Sequence, residues 1–223
     1  MTFAYKVLKF YRSLRIESDL PNGITVLNPY QDEAIFELTS KFYHQYYNDN
    51  SSRTMILGIN PGRFGAGLTG IPFTDPVKLQ SVCGIENALQ KKTELSADFI
   101  HAVIARFGGC EKFFSKFYIN SVCPLGFTLD NKNLNYYDSP ELLKSVEPFI
   151  RSSIVTQINF PVNTAIAFCL GEGENLKYLN KVNQSEKFFK EIVPLSHPRF
   201  IMQYRRKHVD QYIDDYLSKL ARA

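Results

Sequence analysis

The sequence predicts an α/β fold, a three-layer α/β/α sandwich in which helices cover both faces of a central four-stranded parallel sheet. Four short apolar runs rich in branched or aromatic residues lie at 54–59, 117–122, 165–170 and 190–195, and helical patterns separate them. Strands that are buried on both faces and alternate with helices form parallel sheets with right-handed crossovers. The 223 residues, 44% of them hydrophobic, can fill one core, so we expect a single domain over 1–223.

Each predicted helix has a local reason in the spacing of its apolar residues. Residues 1–50 form a helical N-terminal part, because apolar side chains recur at helical spacing within 4–14 and within 32–47. The same spacing predicts further helices between the strands, at 96–107, 139–158 and 173–182. The strands and helices therefore alternate along the chain, as a parallel sheet requires.

Composition and charge exclude several classes of protein. Lysines and arginines interrupt the apolar residues of the N-terminus, and no run approaches the ~18 apolar residues of a membrane helix, so we expect a cytoplasmic protein with no membrane partner. The four cysteines form no C-x-x-C pair, which favours free thiols and predicts no metal site. Neither G-x-x-x-x-G-K-[ST] nor a complete G-x-G-x-x-G occurs, so we expect no nucleotide cofactor.

The most unusual segment is 57–76, which holds five of the twelve glycines and begins an Asn-Pro-Gly turn at Asn60. These three residue types favour turns even where a turn has no function. Glycine, however, removes the Cβ that would keep a ligand away from the backbone. So many glycines around one amide therefore favour a ligand that comes close to the main chain.

Polar residues follow each of the four predicted strands. Ligands bind beyond the carboxyl ends of parallel strands, where this chain places Asn60, Asn120, the Gly-Glu-Gly-Glu turn at 171–174 and His197. Asn120 is either a buried amide that ties two loops together or a ligand-binding residue, since an unpaired buried amide costs about 1–3 kcal/mol. His197 is distinguished by its place after a strand and by Pro198, which fixes the chain beside it.

The loop expected after His197 combines cations with apolar side chains. The cations are Arg199, Arg205, Arg206 and Lys207, and the apolar residues among them include Phe200 and Ile201. A run of charge is usually a solvated surface. Cations interleaved with apolar side chains, however, bind phosphates and push a wedge between stacked bases. This segment therefore favours nucleic acid as the partner.

Three motifs together resemble the uracil-DNA glycosylase superfamily: GINPGRFGAGLTGIPF at 58–73, INSVCPLGF at 119–127 and SHPRF at 196–200. Within the superfamily they are similar to the single-strand-selective monofunctional uracil-DNA glycosylase family, as a bacterial side branch of it. The third motif departs from the family's usual HPSP. The resemblance implies a monomeric, cofactor-free, monofunctional enzyme of base excision repair that flips uracil out of DNA and leaves an abasic site, and it leaves open which other bases are removed.

The resemblance also implies a role for each matching residue. Asn60 positions the attacking water, and His197 hydrogen-bonds the departing base. Gly62 leaves room beside carbon 5 of the base, and Asn120 reads the base edge. The other implied contacts are Ile59, Phe64 and Phe73 with the substrate, and Arg199, Phe200, Ile201, Arg205, Arg206 and Lys207 with DNA.

Two rival functions and one rival residue remain open at this point. The same scaffold could carry a nucleoside or phosphoester hydrolase, or a non-catalytic module that binds damaged DNA, since fold does not fix function. Related glycosylases carry an aspartate where Asn60 stands, and an amide cannot take a proton from water. Asp75 is the nearest alternative carboxylate, although its place before Pro76 favours a helix cap.

Overall fold

The computed structural model describes all residues, Met1–Ala223. The helices are α1 Phe3–Ser13, α2 Glu33–Tyr47, α3 Ala66–Thr69, α4 Pro76–Ser81, α5 Leu95–Phe107, α6 Cys110–Phe114, α7 Pro140–Ile158, α8 Glu174–Glu186, α9 Pro198–Tyr204 and α10 Val209–Leu220. The strands are β1 Thr25–Leu27, β2 Arg53–Gly58, β3 Phe117–Ser121, β4 Gly126–Leu129, β5 Lys132–Leu134, β6 Val162–Leu170 and β7 Glu191–Leu195. Single turns of 3₁₀ helix occur at Pro29–Gln31 and Arg206–His208.

The central sheet confirms the predicted fold. Its four strands run parallel in the order β3-β2-β6-β7, and each coincides with a predicted apolar run to within three residues. Leu57 in β2 pairs with Asn120 in β3 and with Cys169 in β6, so the carboxyl ends of these strands meet at one edge. Residues that follow different strands are thereby brought together there.

Helices cover both faces of this sheet. On one face Tyr118 of β3 packs against Phe3 of α1, with the ring centroids 5.1 Å apart, and α7 and α8 lie on the same side. On the other face Phe117 packs against Phe107 of α5 at 5.4 Å, and α9 and α10 pack against α5. Neighbouring residues of β3 thus face opposite layers, as strand geometry dictates.

A fully buried arginine joins the helical N-terminal part to the sheet. Arg53, at the start of β2, has no exposed surface, and its guanidinium bonds the Asp49 carboxylate at 2.8 and 2.9 Å and the Phe114 carbonyl at 2.7 Å. It also lies 4.9 Å from the centroid of the Phe3 ring and 4.8 Å from that of Tyr47. A charge can be buried at this point because its donors are bonded and aromatic faces surround it.

The structure adds elements that the sequence did not predict. A second, antiparallel sheet has the order β1-β4-β5, and its β4–β5 hairpin turns through Asp130 and Asn131, which both have positive φ, 48° and 60°, as a type I′ turn requires. The expected loop after His197 is instead the helix α9, with Pro198 in its first turn. No helix of the protein is long and apolar enough to cross a membrane.

Candidate active site

A pocket of about 110 Å³ lies beyond the carboxyl edge of the central sheet. It brings together six of the predicted site residues: Ile59, Asn60, Gly62, Phe73, His197 and Arg199. They come from the ends of β2 and β7 and from the glycine-rich segment between β2 and α4. The parallel sheet thus brings together residues that are more than 100 positions apart in the sequence.

Asn60 is held in place by the small antiparallel sheet. Its Nδ2 donates to the Leu134 carbonyl at 3.0 Å, and its Oδ1 accepts from the Tyr136 N–H at 3.0 Å. A carbonyl oxygen has a second lone pair, so Oδ1 can still accept a hydrogen bond from water. The side chain can therefore orient a water molecule but cannot accept a proton from it.

His197 is fixed as a neutral hydrogen-bond donor. It caps the N-terminus of α9, where its Nδ1 accepts from the Arg199 N–H at 3.2 Å, so the ring proton sits on Nε2. Burial, and then the nearby Arg199 cation, lower the pKa of His197 to about 4. At neutral pH the ring can thus donate one hydrogen bond into the pocket from an uncharged imidazole.

Phe73 adopts a left-handed backbone conformation, with φ 53°, which is unfavourable for a bulky residue. The Thr69 hydroxyl holds the turn by donating to the Thr74 carbonyl at 2.6 Å. The Phe73 ring lies 2.8 Å from where a Cβ on Gly58 would stand, so only glycine fits at that position. Strain that is held in this way is typical of binding and catalytic sites.

The structure contradicts the prediction that Asn120 reads the base. Its side chain is buried on the face opposite α5, where Nδ2 donates to the Tyr118 hydroxyl at 2.7 Å and to Gln157, and Oδ1 accepts from the Ser121 N–H at 2.8 Å. The amide is therefore the structural tie that the sequence left as an alternative. Ser121, which no sequence pattern singled out, faces the other way, and its Oγ lies 3.5 Å from where a Cβ on Gly58 would stand, the same place that the Phe73 ring approaches.

Phe64 does not line the central pocket. It borders an adjoining cavity of about 160 Å³ that shares Glu94 and Arg199 with the pocket. Two cations flank the ring, with Arg63 Cζ 4.4 Å and Lys92 Nζ 4.6 Å from its centroid. The contact of Phe64 with the substrate therefore stays a prediction, and in this structure the ring borders the adjoining cavity.

A groove leads from the pocket to the predicted DNA-binding residues. The pocket shares His197 and Arg199 with a cavity of about 480 Å³ that also contains Phe200 and Tyr204. Tyr204 in turn borders a cavity of about 830 Å³, whose lining includes the predicted cations Arg205, Arg206 and Lys207. The groove thus joins the pocket to all four cations of this segment.

Of the two predicted wedge residues, one is exposed at the surface and the other is buried in the core. Phe200 is 42% exposed, and Tyr204 next to it on α9 is 62% exposed. Ile201 has no exposed surface, because α9 turns this side chain into the core. Ile201 therefore cannot contact DNA in this structure, whereas Phe200 and Tyr204 can.

Two carboxyl groups lie near the pocket, and they differ in their surroundings. Asp75 is fully buried and caps α4, with Oδ1 accepting from the Lys78 N–H at 2.8 Å and Oδ2 from the Glu94 N–H at 2.9 Å, so the cap role holds. Glu94 lines the pocket itself. Burial, with a smaller contribution from Asp75, raises the pKa of Glu94 to about 7. No sequence pattern pointed to Glu94, because it follows Lys91, Lys92 and Thr93, a polar stretch typical of a solvated loop.

Comparisons with known proteins show the family of the chain and a solved structure with a similar fold. The family model of the uracil DNA glycosylase superfamily matches residues 44–221. The chain is also similar to a solved structure, the crystal structure of wild-type Pedobacter heparinus SMUG2, with 50% sequence identity and a TM-score of 0.96. That match covers 99% of this chain and 97% of the Pedobacter chain. No curated protein matches the chain.

Proposed function

The chain belongs to the uracil DNA glycosylase superfamily, and from that premise we propose that it flips uracil out of DNA and hydrolyses the N-glycosidic bond without cutting the strand. It is a hydrolase of the uracil-DNA glycosylase type and acts on DNA. The observation that carries the finer proposal is the meeting of Asn60 and His197 in one pocket, from which a groove leads to the cations Arg205, Arg206 and Lys207. We further propose that 1–223 is one catalytic domain that works as a monomer.

The chemistry requires a donor at the leaving base and a water at the sugar. Breaking the bond places negative charge on uracil and positive charge on the sugar, so preorganised donors aimed at the base lower the barrier. His197 Nε2–H supplies such a donor, and a neutral imidazole keeps this proton at neutral pH. Asn60 Oδ1 orients the water that attacks carbon 1′.

Base recognition falls to residues around the Phe73 ring. Phe73 stacks on the flipped base. A Cβ on Gly62 would lie in ordinary contact, 3.4 Å from Asn133 Nδ2, but a larger side chain would enter the pocket, so this glycine keeps the space beside carbon 5 open. Ser121 takes the base-edge contact in place of Asn120. A hydroxyl can donate or accept a hydrogen bond, so we propose that this contact tolerates more than one base.

The groove and the lining of the pocket support the remaining steps. Phe200 and Tyr204 replace the stacking that the flipped base loses, and the cations that follow them neutralise phosphates. Glycosylases that also cut the strand attack with an amine. No lysine lines the pocket, which supports hydrolysis by water alone.

One assay tests the proposal against both rivals. The protein is incubated with a labelled oligonucleotide that carries one uracil, the product is treated with alkali, and strand breakage is measured, with free deoxyuridine in parallel. We expect the unaltered protein to give strand breakage only after alkali. Asn60→Ala and His197→Ala should lose base release but retain DNA binding. The control His44→Ala should keep full activity, because its exposed ring bonds only its own helix.

The other outcomes of this assay are equally informative. Cleavage of free deoxyuridine would identify a nucleoside hydrolase. DNA binding without base release in the unaltered protein would identify a non-catalytic module. Breakage before alkali treatment would show that the enzyme also cuts the strand.

A further inference from the structure

Glu94 occupies an unusual position at the edge of the pocket. It is the N-cap residue of α5, yet its side chain caps no N–H of that helix. The carboxyl instead reaches over the glycine-rich loop, where Oε2 lies 1.9 Å from the place of a Cβ on Gly65 and Oε1 lies 3.5 Å from that of Gly62. The missing side chain of Gly65 is what admits the carboxyl to this place.

The carboxyl of Glu94 has no partner in the protein. Its backbone N–H donates to Asp75 Oδ2 at 2.9 Å, which anchors the residue, but neither carboxyl oxygen takes part in a hydrogen bond or an ion pair. A partly buried carboxylate without partners destabilises the fold. A role in structure therefore does not account for it, whereas a role at the pocket does.

The other polar groups of the pocket cannot take a proton at neutral pH. Asn60 is an amide, and both ends of its side chain are bonded. His197 Nδ1 accepts from the Arg199 N–H, which leaves the one ring proton on Nε2, and the low pKa shows that the ring is a poor proton acceptor at neutral pH. Attack by water nevertheless releases a proton, so the site needs an acceptor for it.

We propose that the Glu94 carboxylate is the catalytic base of this site and takes a proton from the attacking water. This assignment rests on the proposed function. In the step, the water oxygen forms a bond to carbon 1′ while the bond from carbon 1′ to the base nitrogen breaks, and that electron pair leaves with the base. The water proton passes to Glu94, and from there to the released base or to solvent.

The surroundings of Glu94 suit a base that works near neutral pH. The charged and titratable groups that face it are Asp75 before α4 and Arg199 and His197 at the start of α9. Burial and Asp75 raise its pKa to about 7, and Arg199 opposes them. Only the ionised carboxyl accepts a proton, so activity should rise with pH through about 7 and then level off.

The test compares single-turnover release of uracil by the whole protein and by Glu94→Gln between about pH 5.5 and pH 9. We expect Glu94→Gln to be at least ~100-fold slower at high pH, as for the loss of a general base, and to lose the rise through neutral pH. Glu94→Asp should be slowed but keep the rise. Glu111→Gln is the matched control, because this exposed carboxylate on α6 makes no ion pair, and it should match the unaltered protein.

Binding to an oligonucleotide that carries 2′-fluoro-deoxyuridine shows whether each variant still folds and recognises DNA. A Glu94→Gln variant that releases uracil within threefold of the unaltered protein at all pH values, or keeps the same pH profile, overturns the assignment of Glu94. That outcome leaves the glycosylase function intact. Failure of the unaltered protein to release uracil would instead contradict the proposed function.

Discussion

Gly65→Ala offers a way to displace the proposed base without removing it. The new Cβ would stand 1.9 Å from Glu94 Oε2 and 3.0 Å from its Cδ, whereas ordinary contact begins at 3.4 Å. The carboxyl oxygen must therefore move by 3.4 − 1.9 = 1.5 Å. Because these atoms end a flexible side chain, the backbone can stay where it is.

The size of the two effects can be worked out separately. Moving one side chain off its preferred rotamer costs about 0.5–1.5 kcal/mol, so Tm should fall by only a few degrees. A misplacement of about 1 Å at a catalytic group can slow a reaction ~100-fold. Gly65→Ala should thus fold almost normally and release uracil slowly. Gly67→Ala, in contrast, should lower the stability of the fold. Its Cβ would meet the Gly62 carbonyl oxygen at 2.7 Å, and backbone atoms cannot easily move.

The assay is single-turnover base release at about pH 8, together with thermal melts, for Gly65→Ala, Glu94→Gln and the double variant. Both single changes act on one group, so the double variant should be no slower than Glu94→Gln alone. If the two rate losses multiply, the alanine acts through something other than Glu94. If Gly65→Ala keeps full activity, the position of this carboxyl does not matter and the reasoning fails.

Phe200→Ala should slow base release from duplexes more than from single strands, whereas Ile201→Ala should cost the ~2–5 kcal/mol of a large core deletion; equal losses on both substrates would exclude Phe200 as the wedge. Asn120→Ala should lower Tm, and Ser121→Ala should change the relative rates on different bases at nearly constant Tm; the opposite pattern would return base reading to Asn120. Glu94→Gln should raise Tm at pH 8 and raise it by less at pH 5. The pKa of Glu94 in the folded protein is about 7, above its ordinary value of 4.5, so ionisation of the carboxyl destabilises the fold as pH rises through that range. A lower Tm of the variant at both pH values would show that the carboxyl stabilises the protein.

The central sheet could be predicted because each of its four strands contains buried apolar residues, which gives a clear pattern. The strands of the second sheet, β1, β4 and β5, have only three or four residues each and mixed exposure, so no period can be read from them. The hairpin that holds Asn60 was missed for this reason.

The errors at the site have a different physical cause. Asn120 and Ser121 are adjacent in β3 and point to opposite faces of the sheet. Which of them can contact the base therefore depends on which face holds the pocket. Asn120 shares a face with Tyr118, two residues before it, and only the structure shows that Tyr118 packs on α1. Glu94 depends on the path of the chain between α4 and α5, which no local pattern fixes.

The packing around Arg53 also shows that the family match and the packed core of the protein begin at different residues. The family match begins at residue 44, but Phe3, with no exposed surface, already packs on the sheet. A chain shortened to the matched residues would lose the ring that covers one side of the buried guanidinium, and water would reach Arg53 and Tyr118. The segment that matches the family model is therefore shorter than the unit that packs around this core, and α1 is part of that core.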